Sequence, residues 1–320
     1  MEGRSFVGKP IKRRLWAVGI MLASALSQSS HDVFAQAPRD SRTDVVKNDT
    51  GALLLKKVEA TATEGEARRD EVLESAAKLV GKALFLRGFY LANDLRFDAG
   101  GRLVGSAKVG DWTLAAVEVR TVTRRGPEEI ELDGVRAAIR YNVEQGQFER
   151  HPLKDEAMRI VMADGGSLKG FEAEEETVFA VGIDPGLQGA MPEYWQHYFR
   201  PGMTWPEDGL TGVTVYPMLG LPNQQKDVTP PTLAHKADTR PTGYAERERV
   251  HGPLQLRMLV DVEGVPQRIA VQTPLGYGLD ERAVESVVKW RFVPGMRAGK
   301  PVVTEVIVGI DFEYAAMPRF

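Results

Sequence analysis

The chain has 320 residues, a formal net charge of −3 and no cysteine; 43% of its residues are hydrophobic and 27% are charged. That balance is too apolar for a disordered chain and too polar for a multi-span membrane protein, and the length suggests two domains at roughly 150 residues each. The missing thiols exclude disulfides, thiolate metal sites and a cysteine nucleophile, and the mild acidity gives no electrostatic reason to expect nucleic acid as a partner.

Lys9, Lys12, Arg13 and Arg14 precede an apolar run from Leu15 to Leu26, and Ala35-Gln36-Ala37 fits a small-x-small cleavage site. This is the layout of a secretory signal peptide over residues 1–37, with Ala23-Ser24-Ala25 as a second candidate cut. The rival arrangement leaves residues 15–37 uncleaved as a membrane anchor. Against it, a spanning helix needs about 20 apolar residues. Here Ser27 to Asp32 interrupts the run with groups that are costly in hydrocarbon. A cysteine-free product also suits an oxidising compartment. The expected product is therefore an exported protein, with a membrane-anchored one as the alternative.

Residues 38–65 read as a flexible polar lead-in around Leu53-Leu54-Leu55. From Glu66, apolar residues recur at three and four (Val72, Leu73, Ala76, Ala77, Leu79, Val80), which predicts a helix ending at Gly81. Short strands follow: Leu84 to Tyr90, then Leu95-Arg96-Phe97 before the turn signal Asp98-Ala99-Gly100-Gly101, then Trp112 to Val122. Ile130 to Leu132 and Val135 to Tyr141 flank Asp133-Gly134, read as another turn. Together these predict an α+β domain over residues 66–165, with an N-terminal helix and an antiparallel β-rich body, of unknown role. Residues 166–245 read as a Gly/Pro-rich connector. Its acidic run, Glu172 and Glu174 to Glu176, predicts a solvated loop, and Tyr194, Trp195, Tyr198, Phe199 and Trp205 predict a staple onto a domain.

The last stretch is the most regular. Leu254, Leu256, Met258, Val260 and Val262 alternate with other residues in a half-buried strand, which Glu263-Gly264 turns into a second strand from Val265 to Gln272. Gly278 precedes a helix from Leu279 to Trp290 whose apolar stripe includes Ala283, Val284 and Val287. Pro294-Gly295 breaks the chain. Val302, Thr304, Val306, Val308, Ile310 and Phe312 then alternate along one long final strand. The unit is a small ββαβ domain.

Residues 252–313 resemble the C-terminal domain of the TonB family. The matching pieces run in the family's order: Gly252, Val260 to Gly264, Leu275-Gly276-Tyr277-Gly278-Leu279-Asp280-Glu281, Ala283-Val284, Lys289 to Pro294, and Gly299 to Val302. The structural motif carried by the resemblance is Gly264, Leu279, Asp280, Ala283, Trp290, Phe292, Pro294 and Pro301, within a domain set at residues 246–316. Three departures stand out. The helical lead-in around Gly243-Tyr244-Ala245-Glu246 lacks the family's Pro and reads as shortened. Ser27 and His31 have the spacing of the pair that meets an inner-membrane motor but lie beyond the apolar run. No extended Pro-rich spacer is present. The motor is thus a partner only if the N-terminus stays uncleaved.

The resemblance implies a protein-binding module that docks a segment of an outer-membrane receptor or another envelope protein by strand addition, in energy-coupled transport. By this resemblance the contact is placed on Val302, Thr304, Val306, Val308, Ile310 and Phe312; as an edge strand they would offer unpaired N–H and C=O groups, and the alternative is that the strand is an internal member of its sheet. Alternatives are a membrane-anchored energy transducer and a periplasmic enzyme with a docking module. The case for an enzyme is thin. His31, His151, His197, His235 and His251 show no metal spacing and read as surface or loop residues, and no GxSxG, phosphate loop or GxGxxG occurs. No catalytic residue, metal or cofactor is expected.

Overall fold

A computed structural model of the chain describes residues 71–218, 221–312 and 314. The expected leader (1–37), the lead-in (38–65), the start of the first helix and residues 315–316 lie outside the described residues.

A helix over 71–77 (α1) and strands β1 (Leu84–Leu86), β2 (Asp94–Phe97), β3 (Ala116–Arg124), β4 (Glu129–Asn142) and β5 (Gln147–Ala163) open the chain; α2 (Leu168–Val178) and β6 (Phe179–Val181) follow. The strands form one sheet in the order β2-β5-β4-β3-β1-β6, antiparallel except where β2 lies parallel to β5. Alternation gives the sheet two apolar faces. Leu84, Leu86, Val117, Val119, Leu132 and Ile160 pack with Val72, Ala76 and Leu79 and with Phe171 and Val178 of α2. Phe85, Ala116, Ala137 and Ile139, on the other face, join a second core shared with the C-terminal strands. Each fully buried leucine here contributes about 1.5–3 kcal/mol.

Three readings of this region are corrected. Asp133-Gly134 is not a turn: β4 runs straight through it, and the register slips opposite it between Val119 and Thr121. Glycine is needed there for a close approach, since a Cβ on Gly134 would sit 2.1 Å from the Glu118 carbonyl oxygen. Trp112 does not start a strand but lies in a short 3-10 turn (Trp112–Leu114). The acidic run is not a loop. Glutamates favour helix, Ser167 caps α2 by accepting from the Gly170 amide, and Phe171, Glu174 and Val178 share its buried face. Burial raises the Glu174 carboxyl to about 8.

The segment expected as a connector also builds structure. Helices α3 (Pro185–Ala190) and α4 (Glu193–Phe199) follow β6, and short strands β7 (Tyr216–Pro217), β8 (Val228–Thr229) and β9 (Thr232–His235) come after them. On α4, Trp195 makes an edge contact with Trp112 at 5.1 Å and Phe199 lies 5.9 Å from Phe148, so the helix is pinned to the 3-10 turn and to β5 by aromatic rings. His197 is not a surface residue; it is buried and stacked on Trp205 at 3.6 Å.

The C-terminal unit begins with α5 (Gly243–Glu248), capped by Thr242, so the lead-in keeps a helical turn without the expected Pro. Then come β10 (Leu254–Val260), β11 (Pro266–Thr273), α6 (Leu279–Val287), β12 (Arg291–Val293), β13 (Gly295–Arg297), β14 (Lys300–Val302) and β15 (Thr304–Ile310). The main sheet has the order β11-β10-β15-β7, and β9 and β8 add to β12 and β13 in two smaller sheets. Gly264 turns β10 into β11 with φ of 78°, and its carbonyl accepts from the Phe292 amide at 2.8 Å. A Cβ there would fall 1.8 Å from the Phe292 oxygen, so only glycine fits. Leu279, Ala283, Trp290 and Phe292 are all buried, whereas Pro294 is half-buried and Pro301 exposed.

Candidate docking edge

The expected final strand is two strands. Val302 closes β14, opposite Gly295 of β13, and only β15 lies in the main sheet. Ala298 and Gly299, with φ of 49° and 77°, turn the β13–β14 hairpin and take Val302 out of the docking line. Phe312 lies beyond the end of β15 and is half-buried. The six residues expected at the contact therefore do not form one row.

The register shows which backbone groups face outward. β15 pairs antiparallel with β10 from Thr304↔Val260 to Ile310↔Leu254 without a slip. On the other side, the Val303 and Glu305 carbonyls accept from the Tyr216 and Met218 amides at 3.0 and 2.8 Å. In a strand, neighbouring residues direct their hydrogen-bonding groups to opposite sides. Odd-numbered residues of β15 thus point away from β10, and even-numbered ones bond to it. Beyond β7, the N–H and C=O of Ile307 and Gly309 face a side with no further strand among the described residues.

The side chains expected to meet a partner take other positions. Thr304, Val306 and Ile310 are buried in the core, and Val308 is half-buried beside them. What the edge offers is main chain at Ile307 and Gly309, bordered by Val308 and Phe312, which pack against the core only in part. Glu305 is paired on the other face with Arg257 at 2.6 Å. The outward-facing residues were missed in the sequence because alternation shows where side chains go and carries no mark of which amides are unpaired.

The C-terminal unit is also joined to the first sheet. Tyr141 donates its amide to the Leu275 carbonyl at 3.1 Å, and Tyr277 donates to the Ile139 carbonyl at 2.9 Å, which extends the edge of β4 with residues 275–277. Gly278 donates to the Thr113 hydroxyl at 2.8 Å. Asp280, fully buried at the start of α6, accepts from the Leu275 and Gly276 amides at 2.9 and 2.7 Å. The motif aspartate therefore shapes the very loop that meets β4.

Behind that loop, acidic groups crowd. Glu281 accepts from the Trp195 indole N–H at 2.7 Å. Burial, then the charges of Asp111 and Asp280, raise its carboxyl well above the usual range. Burial also raises Asp280, to about 7, against the hydrogen bonds from Leu275 and Gly276 that lower it. Asp111 rises to about 6 through burial, with Arg282 and Lys108 pulling it down and Glu285 pushing it up. The folded protein binds these protons more tightly than the unfolded chain does. Stability is therefore greatest at low pH as far as this cluster decides, and falls as pH rises from the ordinary carboxylate range through about 6 and 7. Glu281→Gln keeps an acceptor for Trp195 and removes one buried charge. It is expected to match the parent at pH 4.5 and to exceed it by about 1 kcal/mol at pH 8 in urea unfolding. Equal stabilities at pH 8 would mean the cluster carries no such load.

Among the described residues no group of three or more His, Cys, Asp or Glu is placed to hold a metal, and no helix is long and apolar enough to cross a membrane. A family model described as the C-terminal of the Gram-negative bacterial TonB protein matches residues 243–314. The solution structure of the Pseudomonas aeruginosa TonB C-terminal domain is similar at 16% identity, covering 33% of this chain and 99% of that one, with a TM-score of 0.22. No curated protein matches the chain. Residues 243–314 are a TonB C-terminal domain, carried by a chain that places an α+β sheet before it.

Proposed function

We propose that this protein is an exported, periplasmic, non-enzymatic adaptor whose C-terminal domain binds a segment of an outer-membrane receptor or another envelope protein by strand addition at β15, in energy-coupled transport. The observation that carries the reading is the outward-facing main chain of Ile307 and Gly309 on a strand otherwise fully paired to β10. A partner strand there gains main-chain hydrogen bonds, and its alternate side chains select it. Val308 and Phe312 border the edge, so a segment with apolar residues at every second position fits. Four bonds at about 1 kcal/mol each correspond to roughly millimolar binding before side chains add to it. That strength suits a grip that forms and releases.

Gly309→Pro tests the edge. It removes an outward N–H and leaves the β10 ladder intact, whereas a proline at Val306 or Val308 would break that ladder. Nothing lies within 4 Å of a Cβ at Gly309, so a side chain has room there, and Gly309→Ala, which keeps the N–H, is the control for the stability of the strand. The measurement is titration of the full chain with synthetic peptides from the N-terminal plug segments of outer-membrane receptors. Affinity is expected to fall about tenfold or more, with stability changed by under about 0.5 kcal/mol. An unchanged affinity would place the contact elsewhere.

A further inference from the structure

We propose that β7 is an internal competitor for the docking edge, a short strand of the chain's own connector that must leave before a partner can pair along the whole of β15. The proposal rests on the docking reading above and goes beyond it. β7 lies parallel to the start of β15, with Tyr216 opposite Thr304 and Pro217 opposite Glu305. Its bonds to the Val303 and Glu305 carbonyls occupy acceptors that a partner spanning the edge would need.

Two features mark β7 as a plug that ends the sheet. Tyr216 and Met218 donate toward β15, so position 217 faces outward, and a proline there has no N–H to offer a further strand. Its hold is also short. Beyond its pairing with β15, Tyr216 packs in part against the main core and is held through Arg297, which donates to the Tyr216 hydroxyl at 2.8 Å, lies 5.1 Å from its ring and pairs with Asp227 at 2.7 Å. Met218, just after the strand, is buried in that core and is the anchor that stays when residues 216–217 leave.

A tethered segment competes at an effective concentration in the millimolar range, so it weakens any partner that needs the same groups. A short partner meets only Ile307 and Gly309; one long enough to reach Val303 gains the remaining groups once β7 is displaced. The edge is thereby made selective for length, and the connector becomes the place where binding can be regulated.

The chain has no cysteine, so Pro217→Cys with Glu305→Cys creates a single pair that can be closed or opened in one protein. These positions are direct register partners, and neighbouring strands lie about 4.8 Å apart, within disulfide reach. The probe is the set of receptor plug peptides, long enough to span Val303 to Gly309, titrated into the full-length variant in oxidised and reduced form. The reduced form is expected to bind about tenfold more tightly than the oxidised form. Equal binding by both forms, with Gly309→Pro still impairing it, would overturn the competitor role and leave the docking edge standing. Absence of binding to both forms and to the unsubstituted chain would remove the docking reading, and the competitor with it.

Discussion

Replacing Arg136 by methionine is expected to lower the free energy of unfolding by about 3–5 kcal/mol. Arg136 sits on β4 with no solvent exposure. Its guanidinium donates to the Leu114, Ala92 and Tyr90 carbonyls at 2.6, 2.8 and 3.1 Å and to Asn93 Oδ1 at 2.9 Å. Burial pushes its pKa down, and the nearby Glu156 carboxylate opposes that shift. Methionine fills much of the volume but supplies no donor, so three carbonyls lose their partner at about 1–3 kcal/mol each, in part relieved by relaxation. Lysine is expected to recover little, because one ammonium with three donors cannot reach acceptors arranged around a planar fork. Urea unfolding with an unchanged slope is the measurement. A loss under about 1 kcal/mol would show that loop 90–93 and the 3-10 turn find other donors.

The second large effect is expected at the seam. Gly276→Ala should cost about 3–5 kcal/mol, and Gly105→Ala about 1–2 kcal/mol. The pair is informative because φ is alike, 94° at Gly276 and 93° at Gly105. A Cβ at Gly105 meets nothing within 4 Å, whereas one at Gly276 falls 2.0 Å from the Ile139 oxygen and 2.9 Å from the Arg140 Cα. Both contacts are backbone and cannot rotate away. The left-handed conformation alone sets the cost at Gly105. The excess at Gly276 measures how firmly residues 275–277 are joined to β4. Thermal unfolding of the two variants checks it, and equal costs would mean that the C-terminal unit can lift away from the first sheet cheaply.

The seam changes what the TonB-type module is in this chain. A docking domain on a free tether moves independently. Here the loop after β11 completes the edge of β4, and α6 buries Glu281 against Trp195 of α4. β15 is bonded along its length to β10, whose buried side chains lie in a core shared with the first sheet.

The pattern of side chains was readable where it repeats. Alternation over Leu254 to Val260 and the stripe of Leu279, Ala283 and Val287 correspond to β10 and α6, because a half-buried element must place apolar groups at its own period. The same alternation misled at residue 302, since it continues from Val302 into β15 while the chain changes sheets at Val303. Asp133-Gly134 misled for a related reason. Glycine serves equally at a turn and where two strands approach too closely for a Cβ, and only the neighbouring Glu118 carbonyl distinguishes them. α2 was missed because its buried face includes Glu174, a residue that reads as solvated until its surroundings are known.

The amino-acid order by itself determined the character of the C-terminal unit: two alternating strands, an amphipathic helix, and the ordered glycines, Asp280 and Trp290 by which it resembles its family. Tertiary structure alone decided which edge is open, that β7 covers part of it, and that the loop at 275–277 belongs to another sheet's edge as much as to its own. The reason is physical. Side chains differ from residue to residue and so leave a pattern, but nearly every residue carries the same N–H and C=O, and whether these are paired depends only on which distant strand lies beside them.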